Sequence, residues 1–190
     1  TNRFTAANAA WFETITEAAH TVEPRPDFIW LEEPEGQPIL SPGWSQWFDW
    51  LNQGIYLLPL GPKAWVKRPI SESTSTAELQ NTLIQGHFIT TTGPLIELTL
   101  GEAGPGDVLE GEDHFPLENI TLRLVGKPNT ISKAAIIGDG QELVQWVVDD
   151  LPFEWSGLIK ERPRWLVAVA WSESGESWAT TSPIWLEPPS

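Results

Sequence analysis

After Gly86 the chain falls into short β-rich runs separated by turn residues at intervals of roughly ten, a texture that leaves an antiparallel sandwich as the natural fold. The runs are 87–92, 95–100, 120–125, 134–137, 143–148, 165–171 and 178–186, enough for about seven strands in two sheets. Gly138-Asp139-Gly140 predicts a tight hairpin, because Gly and Asp tolerate positive φ. Ser174-Gly175-Glu176 predicts the turn of the last hairpin. Within 165–171, Trp165, Val167, Val169 and Trp171 share parity, so one face of that strand carries all four, and core is the expected place for it.

The part before Gly86 reads differently. Phe4, Trp11, Ile15, Ala18 and Ala19 fall near helical spacing and predict an amphipathic helix over 5–20. A short strand is expected at Phe28-Ile29-Trp30-Leu31, between Pro- and Gly-rich loops. Ser41-Pro42 supplies a cap hydroxyl and a proline at the first helical position, and Gly54 a stop. Between them Trp44, Trp47, Phe48 and Leu51 form one apolar stripe, with Trp50 on another face. Ser75-Thr76-Ala77-Glu78 has the capping-box pattern and opens a third helix through Leu79, Leu83 and Ile84 that closes at Gly86. The expected fold is therefore α+β, with N-terminal helices packed against a C-terminal antiparallel β-sandwich, and a division at 1–86 and 87–190.

Charge narrows the function classes. With 26 acidic against 11 basic side chains the formal charge is −15, which opposes a phosphate backbone, so nucleic acid is not an expected ligand. Twelve Trp and seven Phe beside one Tyr demand apolar neighbours or a partner. Cys is absent, which removes disulfides and thiolate metal sites, and Met is absent as well. The absence of Cys suits an exported protein, and the absence of Met, including at position 1, suits a processed, trimmed or excised portion of a longer chain. No apolar run approaches the roughly 20 residues that a membrane-spanning helix needs.

The phrase Gly86-His87-Phe88-Ile89-Thr90-Thr91-Thr92-Gly93-Pro94-Leu95, followed by Gly104-Pro105-Gly106-Asp107, resembles the carbaryl-hydrolase-like (CehA/McbA type) branch of the PHP metallohydrolase superfamily. The Gly138-Asp139-Gly140 hairpin and the closing Thr181-Ser182-Pro183-Ile184 are similar to later strands of that family, so the resemblance covers roughly 42–187. It implies that 1–86 is a helical segment retaining the end of a PHP-like barrel and that 87–190 is the sandwich which follows the barrel.

The family's hydrolases build a multi-metal site from His, Asp and Glu at strand ends, where metal-bound hydroxide attacks the substrate. A whole barrel does not fit before residue 86, and His20, His87 and His114 form no His-x-His pair. The family's last metal-binding segment aligns near Tyr56-Leu57-Leu58-Pro59-Leu60-Gly61-Pro62-Lys63, which holds neither Asp nor His. Lys63, Lys67 and Arg68 bring positive charge there instead, and positive charge repels a divalent cation. No catalytic, cofactor-binding or metal residue is carried over.

Other chemistry is sparse. Glu110, Glu112, Asp113 and His114 offer hard ligands for calcium, as do Asp149 and Asp150, but solvated loop acids are the default reading of such clusters. His87 is expected to satisfy a nearby carbonyl. Phosphate loops, Gly-x-Ser-x-Gly elbows and His-Glu-x-x-His pairs do not occur. The leading expectation is a non-catalytic protein-interaction or structural module that docks on a protein partner or larger assembly, with Trp50, Trp65 and Trp155 as candidate partner-binding residues. Two alternatives stand beside it: the C-terminal portion of a larger metal-dependent hydrolase whose metal site lies outside this sequence, and a Trp-rich carbohydrate-binding sandwich.

Overall fold

The run Trp165-Leu166-Val167-Ala168-Val169-Ala170-Trp171 has no charged residue and only indole N–H groups as polar side-chain atoms, and it forms a strand buried on both faces. That double burial organises the molecule. The computed structural model describes residues 27–30, 42–54, 57–60, 63–65, 76–109 and 116–186. In chain order these form β1 (Asp27–Trp30), α1 (Pro42–Asn52), β2 (Leu57–Leu60), β3 (Lys63–Trp65), α2 (Thr76–Ile84), β4 (Ile89–Thr91), β5 (Leu95–Leu100), β6 (Leu117–Val125), β7 (Lys133–Gly138), β8 (Gln141–Val147), β9 (Phe153–Ile159), β10 (Trp165–Trp171), β11 (Trp178–Thr181) and β12 (Ile184–Trp185). The helix expected over 5–20 lies outside the described residues.

Two antiparallel sheets dominate. The larger runs β3-β4-β11-β10-β7-β8, with β12 also beside β10, and the smaller runs β5-β6-β9. A separate parallel pair joins β1 to β2. The inner faces meet through Ile96 and Leu98 of β5, Ile120, Leu122 and Leu124 of β6, Ala134 and Ile136 of β7, and Leu166, Ala168 and Ala170 of β10. Alternation sends Ala135 and Ile137 of β7 and Trp165, Val167, Val169 and Trp171 of β10 to the opposite face of the larger sheet. There they meet Trp44, Trp47, Phe48 and Leu51, so α1 forms a third layer over the sandwich. Each face of β10 thus has an apolar partner, and its uninterrupted apolar sequence follows from that.

The expected α1 stripe is the buried one: Trp44, Trp47, Phe48 and Leu51 are all in the core. Trp44 meets Trp178 edge-on at 5.4 Å, and Phe48 stacks on Trp165 at 5.6 Å. Polar contacts fix the helix end. Asn52 Oδ1 accepts from Trp165 Nε1 at 3.1 Å and from Arg164 Nη2 at 3.2 Å, while Asn52 Nδ2 donates to the Asp139 carbonyl at 3.0 Å. The second helix closes as its glycine predicts. Gly86 has φ 78, its N–H bonds to Leu83 O, and His87 N–H reaches back to Thr82 O, the paired bonds of a Schellman cap.

Asp139 and Gly140 both have positive φ, the requirement of the expected two-residue hairpin between β7 and β8. The strand expectations differ from the structure at several points, and β2 and β3, with β3 paired to β4 of the larger sheet, were not among the expected strands before residue 86. Phe153–Ile159, which carries Trp155, is a strand and had no place among the seven runs. The run 178–186 divides into β11 and β12, because Ser182 and Pro183 interrupt the ladder. The strand expected at 120–125 begins at Leu117 and pairs through an irregularity between Leu117 and Ile120.

Candidate functional site

A sandwich leaves its lateral edges to be closed by side chains, and one lateral edge here is formed by β8 and β9. Among the described residues β8 pairs with β7 alone, and β9 with β6 alone. Hydrogen bonding alternates along an antiparallel ladder, so the parity of one bond fixes the rest. Val148 N–H bonds Ser132 O at 2.9 Å, which directs the backbone of Trp146 toward β7 and that of Gln145 and Val147 away from it. Gly101 N–H bonds Asn119 O at 3.1 Å, so Thr121 and Arg123 of β6 face β5, and Ile120, Leu122 and Leu124 face β9. In β9, Glu154, Ser156 and Leu158 therefore present their N–H and C=O groups outward.

Three aromatic side chains fill the space between these edges. Trp146 of β8 meets Trp155 at a centroid distance of 4.7 Å and Phe153 at 5.9 Å, and all three are partly buried against the inter-sheet core. Gly157 makes room for Trp155: a Cβ there would overlap Trp155 Cζ2. Val147, 72% exposed, and Leu158, 50% exposed, extend the apolar character to the surface. The segments that form and flank β8 and β9 carry Glu142, Asp149, Asp150, Glu154 and Glu161 against Lys160 and Arg162. On the outer face Arg123 pairs with Glu154 at 3.1 Å and with Glu97 at 3.9 Å. These exposed pairs are worth little to stability, typically about 0–1 kcal/mol, and leave the edge acidic.

A second concavity of about 580 Å³ lies between β5 and the Gly104-Pro105-Gly106-Asp107 turn, with His87, Glu97, Glu102, Asp107 and Arg123 around its mouth. His87 Nε2 is 3.8 Å from Asp107 Oδ1, so the imidazole faces a carboxylate rather than the expected carbonyl. Asp107 Oδ2 accepts from Gly104 N–H at 2.7 Å, which closes the turn. Gly106, at φ 90, rests against the backbone of Gln85 and Gly86 and donates its N–H to Pro183 O. The phrase that carried the family resemblance is thus one physical junction, a helix cap seated on a glycine turn.

The three candidate partner-binding residues stand on different elements. Trp155 is in the aromatic edge. Trp50 is partly buried and packs on the α1 side of the larger sheet. Trp65 lies in β3, its backbone opposite Ile89, at the other end of the sheet from β8, and its side chain lies outside the described residues. Sequence reasoning missed Trp146 and Phe153 as companions of Trp155. The pair Phe153 and Trp155, two residues apart, was the available signal, and Gly157 after it reads as a breaker.

Asp150 Oδ1 accepts from Leu151 N–H at 2.8 Å and serves the local backbone. Glu110, Glu112, Asp113 and His114 lie outside the described residues. Among the described residues no group of three or more His, Cys, Asp or Glu is arranged to hold a metal ion, and no helix is long and apolar enough to cross a membrane. Comparison of the chain with protein-family models, with curated proteins and with solved structures finds no match.

Proposed function

We propose that this chain is a protein-interaction module, built on a sandwich derived from a PHP-type metallohydrolase and working without metal chemistry of its own. The observation that carries the reading is the joining of the half-buried Trp146, Phe153 and Trp155 to two strands with outward-facing backbone groups. Aromatic anchors of this kind dominate binding energy at protein interfaces, and unpaired strand edges accept further strands. The resemblance to the carbaryl-hydrolase-like branch supports the ancestry. The Pro59 to Lys63 segment, with neither Asp nor His where that branch places a ligand, supports the loss of chemistry.

The test is purification of the native chain without denaturant, with mass spectrometry of co-purifying proteins and elemental analysis on the same fractions. A stoichiometric protein partner, released by Trp155→Ala, is the expected result. Recovery of the chain alone with stoichiometric zinc, manganese or iron and hydrolytic activity would overturn the reading.

A further inference from the structure

The geometry points to β9 as the docking strand and to an extended basic peptide of a partner protein as its occupant, added to the smaller sheet as a fourth strand. This rests on the reading of the chain as an interaction module and names the partner's chemistry.

One observation separates β9 from β8, the other edge strand. Its pairing with β6 runs without interruption from Phe153 to Gly157, whereas β8 carries a register shift opposite Ile136 and Ile137. An incoming strand therefore meets a continuous ladder on β9, with Glu154, Ser156 and Leu158 offering donors and acceptors at every second residue. Sheet edges are normally guarded by proline, lysine or a bulge. Neither Phe153–Ile159 nor Gln141–Val147 contains proline or lysine, Pro152 and Lys160 stand just outside β9, and the one register irregularity of β9 lies beyond Gly157.

Alternation then dictates the peptide's pattern. Residues opposite Phe153 and Trp155 turn inward against the aromatic cluster and must be apolar. Residues opposite Glu154 turn to the outer face, where Arg123 lies between the carboxylates of Glu154 and Glu97, at 3.1 Å and 3.9 Å, and the one carboxylate charge in excess favours a basic side chain over an acidic one. In the segments that form and flank β8 and β9, Glu142, Asp149, Asp150 and Glu161 outnumber Lys160 and Arg162, and on a chain of net charge −15 that surplus draws in a basic peptide and repels a second copy of the same chain.

The experiment measures binding of short blocked peptides to the full chain by calorimetry. One alternates Lys and Val, one Glu and Val, one Lys and Ser, and a fourth is the Lys-Val peptide N-methylated on one edge. The Lys-Val peptide is expected to bind at least about tenfold more tightly than each of the others, and its affinity to fall with added salt. Ser156→Pro removes an outward donor and the side-chain hydrogen bond to Thr121 of β6 while leaving the backbone bonds of β9 to β6 in place, and is expected to weaken Lys-Val binding by about tenfold or more. Trp155→Ala gives an independent variant should the proline disturb folding. Equal affinity for the Glu-Val or N-methylated peptide, no effect of either variant, or a dimer of the chain that buries β9 would overturn the proposal. A native partner that stays bound to Ser156→Pro and Trp155→Ala sinks the β9 assignment and leaves the interaction reading intact. Absence of both native partner and peptide binding removes both.

Discussion

The indole of Trp155 lies over Gly157, two residues further along the same strand face, so closely that a Cβ at position 157 would overlap its Cζ2 and stand 2.8 Å from its Cη2. A glycine in a strand interior weakens the strand by its entropy and its missing side chain. Here the missing side chain is the seat of an aromatic ring, and the ring in turn supports Trp146.

Gly157→Ala therefore evicts the indole. Relieving that overlap is expected to cost about 1–3 kcal/mol, the range for overpacking. Urea denaturation should show a lower midpoint with an unchanged slope, and the fluorescence difference between the protein and its Trp155→Phe variant should change. A Gly157→Ala protein as stable as the parent would show that the ring is not seated there.

Trp165 and Trp155 separate core from edge. Trp165 is fully buried beneath Phe48 of α1, so Trp165→Ala should cost about 3–5 kcal/mol, the range for truncating a buried large aromatic. Trp155→Ala removes a ring that is only partly buried and should cost clearly less while abolishing partner binding. Comparing denaturation midpoints and binding for the two variants checks both expectations.

Asn52 ties α1 to the sandwich with three side-chain hydrogen bonds, to Trp165 Nε1, Arg164 Nη2 and the Asp139 carbonyl. Asn52→Ala leaves the Trp165 indole N–H without its partner, and an unsatisfied buried donor costs about 1–3 kcal/mol. Asn52→Asp keeps the acceptor and loses the donor, so its melting temperature should fall between those of Ala and Asn. Thermal unfolding of the three proteins gives the order directly.

Gly106→Ala should be the most disruptive of the glycine changes. A Cβ at 106 would overlap Gln85 O and lie 2.6 Å from Gly86 C, backbone atoms with no rotamer to yield, at φ 90. The φ alone costs roughly 1–3 kcal/mol for a residue with a side chain. Hydrogen exchange should show lost protection at the Gly106 and His87 amides, which bond Pro183 O and Thr82 O. Unchanged protection would show that the turn and the helix cap are not in contact.

Local chemistry made several features legible. The α1 stripe, the glycine cap of α2, the Asp139-Gly140 hairpin and the shared face of Trp165 and Trp171 each depend on a few neighbouring residues, and each stands where the sequence places it. Strand β9 was not legible, because Gly157 and the exposed Leu158 break the apolar alternation that marks a half-buried strand. Its Gly157 reads as a breaker until the Trp155 ring fills the space above it.

The sequence by itself determined the β-rich sandwich half, the helix that carries four apolar residues on one face, and the turns that need positive φ. Those are properties of periodicity and of single-residue sterics. Only the tertiary structure decided which faces meet: that α1 covers the outer face of the larger sheet, that β8 and β9 become edges, and that Trp146, Phe153 and Trp155 gather between them. Periodicity assigns a residue to a face, but the partner of that face comes from strand order, and strand order is set by long-range pairing that no local pattern encodes.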